Sequence, residues 1–133
     1  MVACIKETLR LYSPASSTQR QHGVFEDVIV MLQNYAIMRD ERHWENPDEF
    51  VPERFLDSSI KRHAFAWVPF SAGYRNCIGQ RFAMMEMKIV MGYLFKFFNV
   101  ESIHKKEDLG IQANLVITPK NGINVRLTAR DAE

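Results

Sequence analysis

Cysteine, net charge and long apolar runs are all scarce in this 133-residue sequence. Two cysteines, Cys4 and Cys77, are too few for a disulfide framework, and no secretory signal precedes them, so a reducing compartment is the expectation. Seventeen basic against sixteen acidic residues leave a formal charge of +1. The bulk charge therefore calls for neither nucleic acid nor an anionic membrane, and an electrostatic partner would have to be met by a local patch. No apolar run reaches the ~18 residues that a membrane span needs. Repeats, linkers and low-complexity tracts are also missing. What is present is the balance of a globular protein, 47% hydrophobic and 25% charged, with room for one domain at most. The opening stretch MVACIKETLRLY already alternates apolar and charged residues at helical spacing, as if met in the middle of something larger.

The periodicity predicts a first helix at about residues 2 to 12, with Val2, Ile5, Leu9 and Tyr12 on one face and Pro14 ending it. VFEDVIVMLQNYAIM reads as a strand near 28 to 33 and a short helix or turn near 34 to 38. Residues 40–69 hold Pro47, Pro52 and Pro69 among charged and aromatic residues and read as a long meander with one helical turn at NPDEF. So long an irregular stretch in a compact domain implies a functional or packing role. From Gly79 to Phe98 apolar residues occur almost all round, which predicts a buried helix. NLVITPKNGINVRL gives two β-rich runs around Pro-Lys-Asn-Gly, the pattern of a terminal hairpin.

One of the two thiols lies in unusual company. In PFSAGYRNCIG, residues 69–79, Cys77 falls just ahead of the long helix, where unpaired N–H groups and the helix dipole favour a thiolate. Gly73 and Gly79 permit sharp turns and the close approach of a flat partner, Arg75 adds a permanent cation, and Phe70 and Trp67 exclude water. That set fits a large planar anionic cofactor bound through sulfur. Structural zinc fits less well, because Cys4 is distant in sequence and His22, His43, His63 and His104 show no ligand spacing. A Cys–His catalytic pair stays open, since its members need only meet in space, and so does an ordinary buried thiol.

The pattern Phe-x-x-Gly-x-Arg-x-Cys-x-Gly in FSAGYRNCIG resembles the haem-binding signature of the cytochrome P-450 family, a match expected by chance on the order of once in millions of positions. Cys thiolate is the established haem ligand of that family, not a deduction from spacing, and by resemblance Cys77 is the axial ligand of the haem iron. There the thiolate pushes electron density to the iron and favours O–O cleavage. Arg75 resembles a partner of a haem propionate, Phe70 the residue packed on the thiolate loop, and Gly79 the last residue of the signature. Arg20 resembles the family's other propionate-binding arginine. Glu7 and Arg10 of ETLR, with Arg54 of PERF, resemble the family's Glu-Arg-Arg triad, a structural lock on the meander. As bare sequence, the i, i+3 pair would be an ordinary helical salt bridge.

The resemblance runs from the triad helix to the terminal hairpin and covers about the last quarter of such a protein. It implies a mainly α chain with small β hairpins, the C-terminal part of the cytochrome P-450 fold. Residues 1–133 would form a partial domain and not a complete independent one. PFSAGYRNCIGQRFAMMEMK and TPKNGINVRL look closest to the fatty-acid ω-hydroxylase branch, with a steroid and xenobiotic branch nearby. Implied with it are haem b (iron protoporphyrin IX), NADPH through a flavoprotein reductase, a lipophilic substrate, and insertion of one oxygen atom from O2. Residues 13–18 and 113–118 correspond to segments touching substrate, and Arg62, Arg75, Arg81 and Lys88 could offer the reductase a basic face. The parent family works at the cytosolic face of the endoplasmic reticulum membrane. This sequence shows no anchor, no substrate roof and no oxygen-activating acid–Thr pair, so alone it is expected to be cytosolic and catalytically incompetent, at most a weak haem binder, with apolar surface left uncovered. Two departures stand out: the segment between Arg20 and VIVML is short, with FED where a Pro-Lys-Gly turn is usual, so that part of a hairpin is expected to be missing, and Met38 replaces a histidine.

Overall fold

The computed structural model describes residues 1–21, 28–113 and 116–130. They divide into two compact units, Val2–Cys77 and Ile78–Glu133.

In the first unit, α1 (Val2–Leu11) leads into β1 (Thr18–Gln21), β2 (Ile29–Leu32) and the single turn α2 (Asn34–Ile37). The first helix buries Ala3, Ile5, Leu9 and Leu11, but also Glu7 and Arg10, while Val2 is exposed. Its buried face is therefore centred differently from the apolar stripe expected from the sequence. The reason is that Glu7 and Arg10 find charge and carbonyl partners inside, which removes the usual penalty for burying them. Strands β1 and β2 pair antiparallel from Thr18 opposite Leu32 to Gln21 opposite Ile29. Residues 22–27, which include FED and His22 and on which the expectation of a missing part falls, lie outside the described residues.

The meander has two short 3-10 turns, Pro52–Phe55 and Ala64–Ala66. The helical turn expected at NPDEF falls instead at PERF, where Pro52 fixes φ at the turn's start and Arg54 is drawn inward. NPDEF forms a non-helical turn closed by the Glu49 N–H on the Asn46 carbonyl at 3.1 Å.

In the second unit, α3 (Gln80–Phe97) runs into β3 (Phe98–Ser102), followed by a 3-10 turn (Lys106–Leu109), β4 (Ile111–Ala113), β5 (Ile117–Pro119) and β6 (Val125–Ala129). The helix lies where the sequence places it, yet none of its residues is buried. Phe82 is 65% exposed and Tyr93 64%. An all-round apolar helix is stable only under layers of other structure, and the two-stranded ladders of its own unit do not supply them.

The terminal hairpin is also corrected. The two runs flanking Pro119–Gly122 do not pair with each other: β5 pairs with β4 and β6 with β3, both antiparallel. Strand β3 was not anticipated, because FFNV continues the apolar helix with no Gly or Pro to end it. Once formed, it offers β6 a five-pair ladder from Phe98 opposite Ala129 to Ser102 opposite Val125, and β6 takes it. Gly122, at φ +70°, still turns the chain between β5 and β6.

The uncovered face of α3 leads to an expected outcome. The purified chain should bind an apolar dye and sediment as growing oligomers with rising concentration, and Phe82→Glu with Val90→Glu should reduce both. Monomer mass at every concentration in sedimentation velocity would contradict this.

Candidate functional site

The deepest feature of the first unit is a charge cluster. Arg10 donates from Nε to Glu7 Oε2 at 2.8 Å and from Nη2 to Glu7 Oε1 at 2.8 Å, with both side chains fully buried. Its remaining N–H groups reach the carbonyls of Met38 (2.9 Å), Pro47 (2.6 Å) and Glu49 (3.1 Å). A guanidinium has five N–H donors, and here each has an acceptor. Arg54 donates from Nε to Glu7 Oε1 at 3.1 Å and to the carbonyls of Glu45 (2.6 Å) and Asn46 (3.2 Å). The Val51 N–H adds a bond to Glu7 Oε1 at 3.0 Å. Burial pushes the Glu7 carboxyl up, but the Arg10 hydrogen bond, the Val51 N–H and the charges of Arg10 and Arg54 outweigh it and hold Glu7 below the ordinary carboxylate value.

Trp44, 1% exposed, was not singled out from the sequence. The guanidinium carbons of Arg10 and Arg62 lie 5.0 and 4.6 Å from its ring centroid, and its Nε1 donates to the Ala66 carbonyl at 3.2 Å. Arg62 also donates to the carbonyls of Arg54 (2.8 Å) and His43 (3.3 Å). Burial first and the Arg54 charge second lower its pKa from the ordinary arginine value. Half-buried Arg62 thus also braces the meander through these carbonyls. The available signal was a tryptophan among arginines in a stretch with no apolar periodicity.

The cysteine loop completes this unit. Trp67 Nε1 donates to the Lys6 carbonyl of α1 at 3.1 Å, and the loop then leaves the buried Val68 and Pro69 for solvent. The Cys77 N–H returns to the Phe70 carbonyl at 2.9 Å, with inner turns from Ser71 N–H to Val68 (3.0 Å) and Asn76 N–H to Gly73 (3.1 Å). Gly73 has φ +80°, so the turn does need glycine there, and Ser71 at φ +60° carries a less usual left-handed conformation. Gly79, in the second unit, precedes α3 at φ −83°, where any residue could stand, so conformational freedom does not explain it.

Phe70 is half-buried, whereas Arg75 and Cys77 are exposed, as is Cys4. Arg20, also exposed, donates from Nη2 to the Arg75 carbonyl at 3.1 Å and from Nη1 to the Gln19 carbonyl at 2.8 Å. The structure thus brings Glu7, Arg10 and Arg54 into one cluster, and places Arg20, Phe70, Arg75 and Cys77 on or beside one loop. Of the segments expected to touch substrate, Ser13 is 1% exposed, so its side chain is closed to a ligand. Residues 114 and 115 lie outside the described residues. Arg81 and Lys88 belong to the second unit. Among the described residues no helix is long and apolar enough to cross a membrane.

The family model described as Cytochrome P450 matches residues 1–126. Cytochrome P450 4V2 of Homo sapiens is 41% identical over 139 residues, covering 97% of this chain and 26% of that protein. Cytochrome P450 4c3 of Drosophila melanogaster is 37% identical over 140 residues, with 96% and 26% covered. Among solved structures, the heme domain of a cytochrome P450DA mutant superposes with a TM-score of 0.82 at 25% identity, covering 98% of this chain and 30% of that one. The chain belongs to the cytochrome P450 family, a family of haem-dependent monooxygenases. It spans about a quarter of the length of the curated relatives it matches.

The charge cluster carries a prediction about stability. Glu7 has a lowered folded-state value, so its contribution is complete above the ordinary carboxylate value of 4.5 and is lost as pH falls through the lowered one. Glu7→Gln should cost about 3–5 kcal/mol at neutral pH, by leaving two guanidiniums without their counter-charge, and should flatten the acid limb of the urea midpoint against pH. An unchanged acid limb in that variant would assign the acid sensitivity to another group.

Proposed function

We propose that Cys77 supplies a thiolate ligand to haem iron and that Arg75 and Arg20 offer cations to its propionates. The observation carrying this reading is the loop itself: an exposed thiol on a backbone pinned by the Phe70–Cys77 hydrogen bond, with Arg75 in the loop and Arg20 donating to it. The donor chemistry fits the group. A soft sulfur suits iron, and two guanidiniums suit two carboxylates. Bound haem would supply the redox chemistry that activates dioxygen.

This chain's own residues do the holding. The Gly73 turn brings the loop back toward Phe70, and Phe70 lends apolar cover beside the thiol's backbone. Glu7, Arg10 and Arg54 fix the meander from which the loop departs. They touch no reacting atom and act as positioning residues. Gly79 closes the signature as a helix-leading residue.

In the whole protein the reading extends to monooxygenation of a fatty acid or other lipophile, with NADPH-derived electrons delivered by a flavoprotein reductase, at a membrane. The resemblance to type-4 relatives supports this. The 133 residues are proposed to form part of a domain, able to hold haem weakly and unable to turn over substrate alone.

Haem titration into the purified chain, followed by reduction and carbon monoxide, tests the ligand. A red-shifted Soret band near that of thiolate-ligated haem is expected, and Cys77→Ser should abolish it while Cys4→Ser leaves it. The same band in Cys77→Ser, or no haem uptake by the unaltered chain, would overturn the reading. Hydroxylation of a fatty acid by the chain with reductase would overturn the claim that it cannot work alone.

A further inference from the structure

The cysteine loop is not held only by its own turns. Two side chains from the segment that follows α1 reach its two ends. At the buried end, the Ser13 hydroxyl lies 3.2 Å from the Pro69 carbonyl, between residues 56 positions apart in sequence. At the exposed end, Arg20 Nη2 donates to the Arg75 carbonyl at 3.1 Å, across 55 positions. A hydroxyl has one hydrogen to give, and the second acceptor within reach is the Ala15 carbonyl at 3.3 Å. Pro69 is the nearer of the two, and its bond is the more buried. Because Ser13 is 1% exposed, water does not readily replace it, and removing it would strand a carbonyl beside the point where the loop begins.

We propose that Ser13 and Arg20 are a pair of positioning residues that fix the Cys77 loop from outside, Ser13 at its root and Arg20 at its rim. The inference deepens the haem-thiolate reading and rests on it for its consequence. Its structural half, the fixing of residues 69–77, stands on the hydrogen bonds alone.

The division of labour follows from where each bond sits. The Pro69 carbonyl precedes Phe70, and the Phe70 carbonyl receives the Cys77 N–H at 2.9 Å, so a fixed root sets the height at which the cysteine returns. The Arg75 carbonyl lies two residues before Cys77, on a stretch that is exposed from Ala72 onward and has little packing to hold it. There one charge-assisted bond from a guanidinium does what burial does at the root. Arg20 keeps other N–H groups after serving the Arg75 and Gln19 carbonyls. Holding the loop and meeting a carboxylate are therefore compatible for this residue.

The test uses the 133-residue chain, first without haem. Hydrogen exchange should quicken in peptides covering 69–77 by about five- to tenfold in Ser13→Ala, the scale of one hydrogen bond, with peptides covering α1 unchanged. Ser13→Thr should restore protection by keeping the hydroxyl. Arg20→Ala should quicken exchange around 75–77 while leaving 69–71 protected, and because Arg20 is exposed this variant should keep its urea midpoint. On loading haem, both alanine variants should convert part of their carbon monoxide complex from the thiolate to the thiol form at a lower temperature than the unaltered chain.

Loop exchange unchanged in both variants, or quickened equally in α1, would overturn the positioning roles. Should loop exchange respond as expected while no variant, nor the parent, shows the thiolate band, the loop-fixing half holds and the haem reading fails. A thiolate band equally robust in all of them, with loop exchange altered, would overturn the consequence drawn for the ligand.

Discussion

The carboxylate of Glu7 is the constraint on which the first unit depends. It faces two buried guanidiniums and so leaves one positive charge uncompensated in a volume closed to water. That excess is spread over the carbonyls of Met38, Pro47, Glu49, Glu45 and Asn46 and over the Trp44 ring. Carbonyls can serve a guanidinium only along its N–H directions, so the backbone between residues 38 and 49 has its path set by hydrogen bonds more than by apolar packing. This is how a long stretch without helical or strand regularity holds one course. The role expected of it on grounds of length is therefore a structural one, and it is carried by main-chain oxygens.

From that cluster the order passes outward in steps. Arg62 ties the Arg54 carbonyl to the far side of the meander, Trp44 fixes Ala66, and Trp67 returns to Lys6 of the first helix. Lys6 in turn places its ammonium 5.8 Å from the Trp67 ring centroid and 5.7 Å from that of Phe55. By Pro69 the chain is fixed and buried, and eight residues later Cys77 is exposed. Rigidity and exposure are thus separated along the chain, with rigidity at the loop's root and exposure at its tip, the division that the proposed metal-ligand role of Cys77 would call for.

What the sequence could and could not disclose follows from the kind of group involved. Glu7, Arg10 and Arg54 were legible through the resemblance, which marks side chains; spacing alone showed no more than an ordinary helical salt bridge. Their carbonyl partners were not, since a backbone oxygen carries no letter of its own. The apolar stripe of α1 misled about its buried face because burial of a paired charge does not register as hydrophobicity. Strand β3 was hidden because Phe97, Phe98 and Val100 are as acceptable to a helix as to a strand, and the competition was decided by pairing with residues near 127, far along the chain. Ser13 looked like a residue of a helix-ending loop, open to a ligand. Only the nearness of Pro69 turns it inward.

The two units are held by different forces, and each will answer to different conditions. The first has a polar centre in which charge, hydrogen bonding and aromatic faces are mutually satisfied, so it responds to protonation of Glu7. The second rests on an uncovered helix and two-stranded ladders, which are marginal by themselves. Its Arg126–Glu101 pair, at 3.5 Å and 68% exposed on both sides, adds little. Apolar surface stabilises by about 25 cal/mol per Å2 only when it leaves water, and the side chains of α3 have largely not left it. Residues 2–77 thus hold a cysteine loop whose frame is already satisfied, while α3 has most of its hydrophobic stabilisation still to gain from a covering surface.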